Sequence, residues 1–190
     1  MGQSHQCPTT ATDLRASYGF LTAMAVAVMV CSPVQAQHAA YNGVTYAIVN
    51  ANSGKVVDVS GGSTAAETPC FQYPYHATTN QQWTAWYAGN GFWGLSNINS
   101  QMCLSVSGDL VSPGDAVVQR PYVGKPEQQW MFQSYSDGTY YIVNRKSGEV
   151  LDVDGASTAD GAKIQQYTNG GYKNQRWTLK PIATLKPDHP

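Results

Sequence analysis

Beyond residue 36, apolar side chains come in short runs set between polar turns, and no window keeps the 3.6-residue period of a capped amphipathic helix. Tyr46-Ala-Ile-Val-Asn50 and Tyr140-Tyr-Ile-Val-Asn144 are aromatic and β-branched runs. Ser-Gly turn pairs follow at 53–54 and 147–148, then Val56-Val-Asp-Val59 and Val150-Leu-Asp-Val153 as second strands. Stretches of Gly, Ser, Thr and Ala come next (61–66 and 155–159). A third strand then carries Phe71, Val118 or Ile164, and a fourth carries a Trp. The pattern predicts an all-β chain whose unit is four short strands.

That unit recurs. Gln81-Gln82-Trp83, Gln128-Gln129-Trp130 and Gln175-Arg176-Trp177 are spaced 47 residues apart, twice over. The same offset links Tyr46, Trp93 and Tyr140, then Asn50, Asn97 and Asn144, then Ser53, Ser100 and Ser147, then Gly61, Gly108 and Gly155. Residues 46–84 and 140–178, compared without gaps, agree at 19 of 39 positions. Three repeats follow, at 44–90, 91–137 and 138–181, with a short segment 37–43 before them and a tail 182–190 after. A linear stack of three units would need polar caps at both ends, and a three-bladed propeller falls below the usual blade number. A closed threefold barrel hides every strand edge instead, so the expected fold is a β-trefoil.

The first 36 residues are built differently. A polar lead is followed by the apolar run Ala16 to Cys31, and Val34-Gln35-Ala36 places small residues where a signal peptidase reads. The segment reads as an export signal cleaved after Ala36, too short in its apolar part to span a bilayer of about 20 helical residues. The expected product is secreted, with no membrane insertion once the signal is gone. It would keep Cys70 and Cys103, whose pairing the sequence leaves open. A net charge of −1 with 12% charged residues offers no basic surface for nucleic acid. Of the histidines beyond the signal, His38, His76 and His189, none recurs between repeats. No Gly-x-Ser-x-Gly, His-Glu-x-x-His, P-loop or paired metal-ligand pattern occurs, so neither an enzyme nor a bound cofactor or metal is expected.

The triple Gln-x-Trp, with Asp-Val 25 residues upstream and Asn before the Gln, resembles the ricin B-type β-trefoil lectins, over about 44–181. The third repeat, Leu151 to Trp177, carries the pattern best. The resemblance implies a shallow sugar pocket in each repeat. In the third it assigns Asp152, Gln165, the stacking aromatic Tyr167, Asn174 and Gln175. In the first it assigns Asp58, Tyr73, Asn80 and Gln81. Gapless comparison there sets Phe71 opposite Gln165, whereas aligning the apolar strand residues sets Gln72 there and makes Tyr75 a rival to Tyr73. The middle repeat has Ser105 for the Asp, Glu127 for the Asn, and Arg120 or Pro121 for the aromatic. It is expected not to hold the usual ligand.

These residue types suit a pyranose. A Tyr ring packs on the C–H face, a carboxylate accepts from two neighbouring hydroxyls, and amides match hydroxyls by donating and accepting. The Trp residues are expected in the core, and Gln81, Gln128 and Gln175 are expected to bond backbone as well. The implied function is carbohydrate binding, with galactose or N-acetylgalactosamine glycans as the leading partner class. A trefoil that binds proteins through its loops, as protease inhibitors do, is the alternative; it has no need of a recurring Asp–aromatic–Asn set.

Overall fold

The computed structural model describes residues 41–182; the expected export signal with its cleavage point, and the chain beyond 182, lie outside them. Twelve strands follow in chain order: β1 Thr45–Asn50, β2 Val56–Val59, β3 Cys70–Tyr73, β4 Trp83–Gly89, β5 Phe92–Asn97, β6 Cys103–Val106, β7 Val117–Arg120, β8 Trp130–Ser134, β9 Tyr140–Asn144, β10 Val150–Val153, β11 Ile164–Tyr167 and β12 Trp177–Pro181. Six of them close a ring of antiparallel pairs, β1–β4–β5–β8–β9–β12 and back to β1. Closure leaves the ring without an edge strand. The other six form three hairpins, β2–β3, β6–β7 and β10–β11, each hung from the ring by one short pairing. This is the β-trefoil expected from the repeat.

The repeated residues explain why every unit folds alike. Trp83, Trp130 and Trp177 are fully buried, and their indole N–H groups donate to the carbonyls of Val57, Leu104 and Leu151 at 3.1, 2.9 and 2.9 Å. Each ring thereby fills the core and satisfies its one polar group. Asn50, Asn97 and Asn144 turn the chain after the first strand by accepting from backbone N–H groups two and three residues on. Their amides donate at 2.9, 2.9 and 3.0 Å to the carbonyls of Asn174, Asn80 and Glu127, which lie in the preceding unit. One side chain thus builds a turn and ties two repeats. Gly61, Gly108 and Gly155 follow the second strands at φ of 60°, 62° and 60°, a left-handed bend that favours glycine.

The symmetry ends at Tyr41, which precedes β1. Its ring meets those of Trp93 and Phe132 edge-on at 5.6 Å, and its hydroxyl lies 2.8 Å from that of Tyr140. Cys70 and Cys103 are both buried free thiols, so the pairing left open by the sequence is not made. Burial pushes both thiols up, with a hydrogen bond to Ser96 opposing this at Cys103.

Candidate carbohydrate-binding site

In the third repeat the β10–β11 register sets Asp152 directly opposite Gln165. The Gln165 amide donates to Asp152 Oδ1 at 3.0 Å and to Asp154 Oδ1 at 3.2 Å. A single 3-10 turn, Lys173–Gln175, brings Asn174 to the same carboxylate, where its amide donates to Asp152 Oδ2 at 2.7 Å and to the carbonyl of Val153 at 3.0 Å. Asp152, Gln165 and Asn174 are all buried, while Tyr167 at the end of β11 is 46% exposed. Burial raises the Asp152 carboxyl above the ordinary aspartate range; Gln165, Gln175 and Asn174 oppose this, and neighbouring Asp154 adds to it. The result is an acceptor floor beside an exposed ring, at the base of a cavity of about 560 Å³.

The first repeat builds a similar arrangement on fewer amides. Gln81 donates to Asp58 Oδ2 at 2.8 Å, and Asn80 donates to the carbonyl of Val59 at 3.1 Å. Tyr73 stands opposite Val56, as Tyr167 stands opposite Val150, and is 42% exposed. Tyr75 packs against the small cluster of Ala47, Val49 and Val56, so Tyr73 is the ring set as Tyr167 is. Burial raises Asp58 too, opposed by hydrogen bonds from Gln81 and Asn80 and by nearby His76.

Gln72 is separated from this group, and its placement beside Asp58 is corrected. The β2–β3 register sets Phe71, not Gln72, opposite Asp58. Gln72 instead matches Gln119 and Gln166. Each accepts from a serine hydroxyl 19 residues earlier, at 2.7, 2.6 and 2.7 Å, and points its amide into a loop of another repeat. For Gln72 those acceptors are the carbonyls of Ser157 and Ala159, at 2.8 and 2.9 Å. The side chain is fully buried and locks repeats together. Gln81, Gln128 and Gln175 clamp backbone as expected, donating to Pro74, Pro121 and Thr168 and accepting from His76, Val123 and Gly170. Gln81 therefore serves both the clamp and Asp58.

The middle repeat has the cleft and none of this chemistry. Ser105 is buried and spends its hydroxyl on the carbonyl of Val106. Arg120 takes the place of the tyrosine, opposite Cys103, and pairs with Glu67 at 2.5 Å. Lys125 lies 3.2 Å and Lys146 3.8 Å from Asp109, whose carboxyl the Glu127 hydrogen bond and these two cations hold down to about 2. The remaining space is about 210 Å³.

The third cavity also contains residues that the sequence reading missed: Asp154, Tyr172 and Lys173, and Asn52 from the first repeat. Asp154 and Tyr172 have no counterpart at the 47-residue offset, which holds Ser107 and Lys125, then Ser60 and Thr78. Asn52 reaches the site only because the ring closes, its amide donating to the carbonyl of Ala156 at 3.0 Å.

Comparison with known proteins accords with this geometry. The chain is 39% identical to the designed threefold-symmetric protein ThreeFoil, over 73% of this chain and 99% of that one, with a TM-score of 0.72. It is 34% identical to part of an exo-β-1,3-galactanase from Clostridium thermocellum, over 73% of this chain and 30% of the enzyme, with a TM-score of 0.71. A Macrolepiota procera ricin B-like lectin in complex with lactose is 26% identical, over 74% of this chain and 96% of the lectin, with a TM-score of 0.65. No curated protein matches the chain. The model of the ricin-type β-trefoil lectin domain-like family matches residues 35–120, 79–167 and 126–186, and with the closed ring and three Gln-x-Trp units described above, the chain belongs to that family.

Proposed function

We propose that the chain is an exported carbohydrate-binding lectin with two sites, one on Asp58 and one on Asp152, and that it catalyses no reaction. One observation carries this reading. A carboxylate on the second strand, the Asn that precedes each Gln-x-Trp and an exposed tyrosine recur in two repeats, and all three are replaced together in the middle one, by Ser105, Glu127 and Arg120. A barrel needs none of the three, since the middle repeat folds without them. Galactose-type glycans are the proposed class, supported by the lactose complex of the Macrolepiota lectin and by the galactanase that contains a similar module.

The site works by complementarity. The carboxylate accepts from adjacent sugar hydroxyls, the amides hold it in place and offer donors of their own, and the tyrosine covers the C–H face. Hydrogen bonds to a charged group are worth about 1.5–3 kcal/mol, so the aspartate dominates polar recognition. An open pocket of this kind binds in the region of 1 mM, about −4 kcal/mol. The test is a glycan array probed with the natural chain and with Asp58→Asn plus Asp152→Asn. Retention is expected to disappear in the double variant while its circular dichroism stays unchanged. A folded double variant that keeps full retention overturns the assignment, and release of reducing sugar from a polysaccharide by the pure protein overturns the non-catalytic reading.

A further inference from the structure

The two proposed sites are unequal in a way that bears on ligand size. Besides Tyr167, the third cavity is lined by a second tyrosine, Tyr172, which is 68% exposed. Tyr172 immediately precedes the turn Lys173–Gln175 and holds extended backbone angles there, so its Cα is positioned by the same turn that positions Asn174. Its ring lies against Gly170: a Cβ built on that glycine would fall 2.4 Å from Tyr172 Cε2 and 2.7 Å from Cδ2. Gly170, unlike Gly171, does not have a left-handed φ, so the close approach of the ring is what calls for glycine there. The first repeat has Thr78 in place of Tyr172 and Ser60 in place of Asp154.

From these differences, and resting on the lectin reading, we infer that the third repeat is a two-ring site: Asp152, Asn174 and Tyr167 take a terminal sugar, and Tyr172 packs on the sugar linked to it. The first site, which has Thr78 where the third has Tyr172, takes a single terminal sugar. The cavity of about 560 Å³ lies within the range of about 300–1,000 Å³ that encloses drug-sized ligands, more than one pyranose requires. The carboxylate of Asp154, held by the amide it shares with Asp152, supplies an acceptor in the same cavity. Two aromatic platforms served by one acceptor floor suit a linked pair of rings, because each platform needs a C–H face of its own.

The experiment titrates the full mature chain by site-resolved NMR with galactose, N-acetylgalactosamine and xylose, and with the β-linked disaccharide ending in each. The disaccharide of the accepted sugar is expected to bind the third site roughly three- to tenfold tighter than the monosaccharide, the worth of one aromatic contact, and the first site no tighter. Tyr172→Ala is expected to remove that advantage at the third site and leave monosaccharide binding there unchanged. Gly170→Ala is expected to do the same by displacing the ring. Equal affinity for both sugars at the third site, or an advantage that survives Tyr172→Ala, overturns the inference while leaving the lectin reading intact. Failure of every probe to perturb the amides around Asp152 and Asp58 overturns both.

Discussion

Asp58 and Asp152 occupy equivalent positions at different depths: Asp58 is partly exposed, whereas Asp152 retains 3% exposure. In both, burial raises the carboxyl, so protonation begins above the ordinary aspartate range. A protonated carboxyl loses acceptor capacity, and glycan retention is therefore expected to fall on acidification while ordinary surface aspartates are still ionised. Stability runs the other way. A carboxyl whose folded pKa is raised binds its proton more tightly in the folded state, so these two groups favour the fold as pH falls through that window. Retention measured beside near-ultraviolet circular dichroism from pH 7 downward should show binding lost before structure; simultaneous loss would mean that the carboxylates are not the ligands. Gln72 gives the opposite pattern. Replacing it with Leu leaves Ser53 and the carbonyls of Ser157 and Ala159 without their partner, a cost of about 1–3 kcal/mol read by chemical denaturation, while retention at the Asp58 site is expected to persist. The gapless comparison already paired Gln72 with Gln166 as an identity; the competing alignment on apolar residues obscured it, because Phe71 looks like a strand core residue.

At the scale of elements, the short 3-10 turns and the hairpins matter more to the site than the barrel strands do. The turns Thr79–Gln81 and Lys173–Gln175 carry the Asn-Gln pairs, and the clamp by Gln81 and Gln175 holds the loop ahead of each. Strand positions were legible from alternation and turn residues, but side-chain direction in the third strand was not. That direction depends on register, and a one-residue slip sends every side chain to the other face. The register Asp58↔Phe71 settles it. The β4–β5 hairpin offers a separate check on packing. Gly94 stands opposite Trp86, and a Cβ there would fall 2.1 Å from Trp86 Cζ2. The Trp86 ring therefore lies across the hairpin and donates to Ser96 at 3.0 Å. Gly94→Ala is expected to displace that ring, shift its fluorescence and cost about 1–3 kcal/mol by overpacking.

For the molecule as a whole, ring closure decides which parts can cooperate. The two proposed pockets, if occupied independently on one body, gain on a multivalent surface, so Asp152→Asn alone is expected to reduce retention on a dense glycan surface by much more than half, yet to halve the binding stoichiometry for a soluble sugar. Calorimetry beside surface retention separates the two. The thiols of Cys70 and Cys103 lie buried in different hairpins, and mass-mapped alkylation should leave both unmodified until the chain unfolds. The amino-acid sequence by itself determined the repeat, the all-β class, the trefoil and the replacement of Asp, Asn and tyrosine by Ser105, Glu127 and Arg120 in the middle repeat, because periodic burial and the Gln-x-Trp spacing are local and recur. Tertiary structure alone decided that Gln72 ties repeats instead of facing Asp58, that the cysteines stay apart, and that Asn52 of the first repeat reaches the rim of the third cavity. Those outcomes depend on register and on closure of the ring, which bring together residues far apart along the chain.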